Sequence, residues 1–248
     1  MTTLKQPQKF VEFLQKCDLQ NKNLFKMVPL VNSNYLTAND YELLSLRCKI
    51  TSKNQSFLEN EVCILDLKSL MQVFSLFKDE VEVEDAIEEL RFKDEKTEVA
   101  YTLTDKQVIL NDKGEKFFLV PKKEKLENKE WFATLDLNKE FVEKFDKMTD
   151  YQGESIFYFV NKYSKFYIGI GSEEDRSNKV FVNVEEYKVG EEPVVVTGKV
   201  KFLVSYLKSI LKVTKGMKIQ LRVSYDLAWL HAEDDDFECE YYFGTSDN

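Results

Sequence analysis

Four apolar residues at the spacing of one helix face occur twice in this chain, about 135 residues apart. The first set is Leu67, Leu70, Met71 and Phe74; the second is Leu203, Tyr206, Leu207 and Ile210. Positions i, i+3, i+4 and i+7 lie on one stripe of an α-helix, so each set predicts a helix with a single buried face. A second pair of helices repeats in the same way, with Phe10, Val11 and Leu14 answered by Phe141, Val142 and Phe145. A chain with the same helix pair in each half reads as two copies of one unit. Its 248 residues leave each copy enough length for its own core.

Around these helices the apolar period changes from 3.6 to two. In the first half, residues 41–50, 62–65, 81–83, 90–92, 99–103 and 107–110 read as strands. In the second, 155–160, 165–168, 179–184, 218–223, 228–231 and 237–243 do. Each half is therefore helix, strands, helix, strands. Short amphipathic helices must bury their apolar faces on a sheet. The expected fold is α+β: two similar domains, each with antiparallel sheets and two helices, over residues 1–112 and 131–248. A Lys- and Glu-rich connector, 113–130, joins them and carries an apolar island, Phe117, Phe118, Leu119 and Val120.

Composition narrows the chemistry. One histidine, His231, rules out a two-histidine metal site, and no phosphate-binding glycine loop occurs; Gly169-Ile170-Gly171 lacks a third glycine. Cys17, Cys48, Cys63 and Cys239 form no C-x-x-C pair, so reduced thiols are expected and no metal site. The run Glu233-Asp234-Asp235-Asp236 lacks the alternation and glycine of a calcium loop and reads as a solvated turn. A lone histidine beside it is a surface residue rather than a catalyst. The expectation is no enzyme and no cofactor. No apolar run reaches the roughly 18 residues of a membrane span, and no membrane partner is expected.

Charge is segregated. The net charge is −9, yet Pro193 to Tyr225 contains no acidic residue and seven basic ones. Treated as one helix, the part from Val200 to Lys215 sets Lys201, Ser205, Lys208, Lys212 and Lys215 within an arc of about 80°, opposite the apolar stripe. Gly216 would stop it. Lys68 lies on the polar face of the matching first-half helix. Lys5, Lys9 and Lys16 run along the first helix, and Lys139, Lys144 and Lys147 along its counterpart, behind an Asn138 N-cap.

The order of these features, with Leu65-Asp66-Leu67-Lys68-Ser69-Leu70, Tyr158 to Phe166, Gly169-Ile170-Gly171 and the closing Glu240-Tyr241-Tyr242-Phe243, resembles the sliding clamp family of DNA replication. That family comprises the PCNA type and its relatives in T-even-type bacteriophages. The resemblance implies a processivity fold that forms a homotrimeric ring around double-stranded DNA, holds a DNA polymerase to its template and is placed there by a clamp loader. It implies that the eleven lysines named above contact phosphates without reading sequence. It also implies that Phe117, Phe118, Leu119, Val120, Tyr242 and Phe243 line a pocket for partner peptides. A virus-encoded clamp working in the host cytoplasm would fit the composition. The competing reading is a clamp-like monomeric accessory module that makes no ring.

Overall fold

A computed structural model describes residues 2–19, 27–40, 46–86, 88–105, 120–152, 156–171 and 180–246. The expected strand 107–110, the opening half of the expected strand 41–50, and Phe117, Phe118 and Leu119 lie outside the described residues.

The chain divides into two compact units. The first comprises Met1–Val120 with Asp235–Cys239, and the second Pro121–Asp234 with Glu240–Asn248. In chain order the first unit runs β1 (Thr2–Leu4), α1 (Pro7–Gln15), β2 (Met27–Asn32), β3 (Tyr35–Asp40), β4 (Leu46–Ser52), β5 (Val62–Cys63), α2 (Leu67–Phe74), β6 (Val81–Asp85), β7 (Glu89–Lys93), β8 (Glu98–Thr102). A single helical turn, α3 (Lys123–Glu127), lies within the expected connector 113–130. The second unit then repeats the pattern: β9 (Ala133–Asp136), α4 (Lys139–Gln152), β10 (Ile156–Lys162), β11 (Lys165–Ile170), β12 (Val180–Asn183), β13 (Val200–Leu203), α5 (Val204–Val213), β14 (Lys218–Val223), β15 (Leu227–Glu233), β16 (Phe237–Gly244).

Topology repeats as strictly as element order. One sheet of the first unit is ordered β1-β6-β7-β8, and the other contains β5-β2-β3-β4. In the second unit the corresponding orders are β9-β14-β15-β16 and β13-β10-β11-β12. Among the described residues these strands pair antiparallel, as the short connections require. The last strand is divided: its opening residues Phe237–Cys239 belong to the first unit and the remainder to the second.

Each helix pair covers one face of its sheets through aromatic side chains. In the first unit, Phe10 and Phe13 of α1 meet Phe57 with ring centroids 4.9 and 4.8 Å apart, and Phe10 meets Phe74 of α2 edge-on at 5.1 Å. In the second, Phe141 and Phe145 of α4 stack at 5.9 Å, and Phe145 meets Phe157 of β10 edge-on at 5.6 Å. All of these rings are fully buried or within a few per cent of it, so each contributes the full transfer term of a large apolar side chain.

The helix starts follow from their caps. Asp66 accepts the Ser69 backbone N–H at 3.0 Å at the start of α2, and Asn138 accepts the Phe141 N–H at 2.9 Å at the start of α4. Pro7 opens α1, where its missing N–H costs nothing. The expected single helix through 201–215 is corrected. Val200–Leu203 is a strand paired with β10, Lys201 lying opposite Tyr158, and α5 begins only at Val204. It ends at Val213, and Gly216, at φ +88°, closes the following turn. Pairing along the β10 edge outweighs the helical spacing there.

Candidate nucleic-acid interface

Within each unit the helices turn their polar faces away from the sheet. In the first, Lys68 is exposed on α2, and Lys5 is exposed where β1 runs into α1. In the second, Lys139 and Lys147 are exposed on α4, Lys212 on the last turn of α5, and Lys215 just beyond it. Lys201 leaves the helical stripe, since it lies on the strand β13.

These lysines fall into two electrostatic classes. In the first class the ammonium is already held by a carboxylate. Lys9 pairs with Asp236 at 2.5 Å and with Glu12 at 3.4 Å. The Asp236 hydrogen bond, opposed by partial burial, raises the Lys9 pKa, and Lys9 in turn lowers that of Asp236. Lys144 reaches Glu140 at 2.8 Å, Glu186 at 3.2 Å and the Tyr187 hydroxyl at 3.1 Å, and Glu140 above all holds its pKa up. Lys208 of α5 is paired with Asp150 in the last turn of α4 and reaches the Thr149 hydroxyl at 3.4 Å. Lys139 makes only a loose contact with Glu143 at 3.8 Å.

Lys5, Lys68, Lys147, Lys212 and Lys215 make up the second class. Among the described residues no carboxylate lies within ion-pairing distance of them. A paired lysine brings its carboxylate to any phosphate it approaches, so its net contribution is small. An open lysine contributes a whole charge. Lys16, the C-cap of α1, sits with its Nζ 5.9 Å from the Phe237 ring centroid.

The acidic run after β15 is more than a solvated turn. Asp236 holds Lys9, and the Asp235 carbonyl accepts from the Asn54 side chain at 3.0 Å. Nothing local in the sequence signals these contacts, whose partners are far apart along the chain.

The expected peptide-pocket residues are placed differently from the sequence reading. Val120 is half-buried. Phe243 is fully buried, its ring 5.5 Å from Phe202 and 6.1 Å from Tyr206, and so packs the second unit's core instead of lining an open pocket. Tyr242 is also buried, stacked on Trp229 at 6.2 Å, with its hydroxyl donating to Glu240 at 2.8 Å.

Compared with solved structures, the whole chain finds counterparts. It is similar to the structure of the C-terminal region of FEN-1 bound to A. fulgidus PCNA, at 15% identity and TM-score 0.65, over 97% of this chain and 96% of that one. The fold is that of the sliding clamps. The Pseudomonas aeruginosa DNA polymerase III subunit beta matches at 16% identity and TM-score 0.66, over 99% of this chain and 66% of that one. An H. pylori beta clamp in complex with 5-chloroisatin matches at 14% identity and TM-score 0.64, over 99% and 63%. The chain thus spans about two thirds of the length of these two bacterial clamps. No protein-family model and no curated protein matches the sequence. The likeness therefore rests on the duplicated topology, which identities of 14–16% leave intact.

Proposed function

We propose that this chain is a sliding clamp, a ring of three copies that encircles duplex DNA and holds a DNA polymerase on its template. The observation that carries this reading is the pair of helices repeated in each unit of a clamp fold, with lysines free of carboxylates on their outward faces. Such lysines suit a protein that must slide. An ammonium on a flexible stem contacts phosphate oxygens without reading bases, and each contact is weak and replaceable. The net charge of −9 makes the body as a whole unfavourable for duplex DNA, so the lysine-bearing helices become its preferred path.

Strand order supports a ring. The chain sets β4 beside β16. By the internal repeat, β12 is the counterpart of β4, and β8 the counterpart of β16. Among the described residues, β8 and β12 end their sheets. A terminal strand presents unpaired N–H and C=O groups and calls for a partner. If β8 of one copy pairs with β12 of the next, the same junction is made between copies, and a heterologous contact of this kind gives a ring when its rotation closes.

The test is the native mass of the particle, followed by retention on DNA. Three chains per particle, retained on circular duplex and lost from linear duplex by running off the ends, is the expected result. A monomer, or equal retention on both forms, refutes the reading.

A further inference from the structure

The sheet β12-β11-β10-β13 has two faces, and the helices cover only one. Phe157, Phe159, Phe166, Ile168 and Phe202 are buried on the helix side. Strand alternation then sends Tyr158, Lys162, Lys165, Phe181 and Lys201 to the other side. Lys165 is exposed and Lys162, Phe181 and Lys201 are half-buried, while the Tyr158 ring between the strands is buried. In a chain of net charge −9, no acidic residue of these four strands lies on that side.

Lysines and rings interleave there. The Lys162 Nζ stands 4.0 Å from the Phe181 ring centroid and 5.4 Å from that of Tyr163; the Lys199 Nζ stands 4.8 Å from that of Tyr158. Burial, and then the neighbouring charges of Lys201 and Lys162, lower the pKa of Lys199.

The hairpin at the rim is a second, independent sign. Lys162 and Lys165 pair across a two-residue turn, Tyr163-Ser164, with φ of 50° and 59°. Such a turn favours Asn or Gly, and a bulky aromatic residue at positive φ is strained. The matching hairpin of the first unit carries Ser33-Asn34. The strained tyrosine is 84% exposed, so packing does not explain it.

We propose that this face, built from Lys162, Lys165, Lys199 and Lys201 with the rings of Tyr163 and Phe181, binds single-stranded nucleic acid: backbone phosphates on the lysines, bases on the rings. Alternating cations and π-faces match a chain whose charge and flat bases alternate at similar spacing. An acidic protein segment would satisfy the lysines but leave an exposed tyrosine unused. The site is separate from the helix-face lysines, so the duplex-encircling reading stands or falls independently of it.

The experiment is fluorescence anisotropy of the full chain with a labelled oligothymidylate of about 20 nucleotides, longer than the roughly 4–16-nucleotide sites of comparable sheet binders. Oligouridylate, a duplex of equal length and an oligoglutamate peptide are run beside it. The expected result is salt-sensitive binding of the single strands. Lys162→Glu with Lys165→Glu weakens it at least tenfold at roughly 0.15 M salt and flattens the log–log salt slope by about 1.4, two phosphate contacts' worth. Tyr163→Asn weakens it at least about fivefold with the slope unchanged, the loss of one stacked base, while raising Tm because Asn tolerates the turn. Retention on circular duplex is unchanged in both variants. Binding of oligothymidylate or oligouridylate alone tells DNA from RNA as the natural strand. Single-strand binding that ignores these substitutions overturns the proposal. So does duplex binding that is equally sensitive to them, or oligoglutamate binding that alone responds.

Discussion

Asp150→Asn is expected to strengthen duplex binding, although it removes an ion pair. In the wild type, Asp150 holds the Lys208 ammonium, with side-chain exposures of 72% and 33%. Removing the carboxylate charge releases Lys208 from its ion pair, leaving only the longer-range pull of Asp146 one turn earlier on α4. One added phosphate contact steepens the log–log salt dependence by about 0.9. At about 0.15 M salt it raises affinity roughly fivefold, or about 1 kcal/mol. The fold loses little, because an exposed pair contributes about 0.2–1 kcal/mol. A carboxylate in the last turn of α4 also opposes the helix dipole, which offsets part of that loss. The assay is equilibrium binding of a labelled duplex between about 50 and 200 mM salt, with native mass checked alongside. Adding Lys208→Met to Asp150→Asn should abolish the gain. Unchanged or weaker binding by Asp150→Asn, with assembly intact, would show that Lys208 does not face phosphate and would undo the division into held and open lysines.

Asp66→Ala removes the N-cap of α2 and should cost about 1 kcal/mol, seen as a Tm lower by a few degrees; no change would mean the cap is replaced by water. Gly169→Ala places a Cβ 2.5 Å from the Tyr158 ring, which is buried and must shift; about 1–3 kcal/mol of lost stability is expected in urea melts, and a neutral result would show the ring free to move. The Lys9–Asp236 pair should give a defined pH signature. The folded pKa of Asp236 is depressed, chiefly by the Lys9 hydrogen bond, so the pair's contribution is present above the usual carboxylate range near 3.9 and fades as pH falls through the lowered value. The urea midpoints of wild type and Asp236→Asn should therefore differ by a constant amount at neutral pH and converge in acid. A gap that persists below about pH 2 would assign the effect to packing instead.

The strands were most legible where one face is wet. Residues 218–223 alternate strictly, and β14 covers those same positions. The strand β2 gave no such signal. Its sequence, Met-Val-Pro-Leu-Val-Asn, is buried at five consecutive positions and contains a proline, which usually argues against a central strand. Pro29 is tolerated because β5 pairs only with Leu30 and Val31; the Pro29 carbonyl accepts the Ile64 N–H at 3.0 Å just past β5, on the side to which its missing N–H would point and where the sheet ends. The strand β13 was hidden for the opposite reason: Leu203 continues the apolar spacing of α5 backward, and only pairing with Ile156 fixes it as extended. The helix-face lysines could be read from spacing, but their charge state could not. Asp150 meets Lys208, and Asp236 meets Lys9, through tertiary folding alone.

The ownership of Asp235–Cys239 bears on how the chain is made. A ribosome releases residues in order, and the first unit lacks these five until the last segment emerges. At roughly 5–20 residues per second, the interval after Val120 lasts on the order of 6–24 s. During that time β4 has an uncovered flank, and Phe13 lacks the Phe237 ring that sits 6.3 Å away in the finished unit. The half synthesised first is thus finished only a few residues before the second, and a polypeptide cut short at the start of its final strand would leave both halves unfinished.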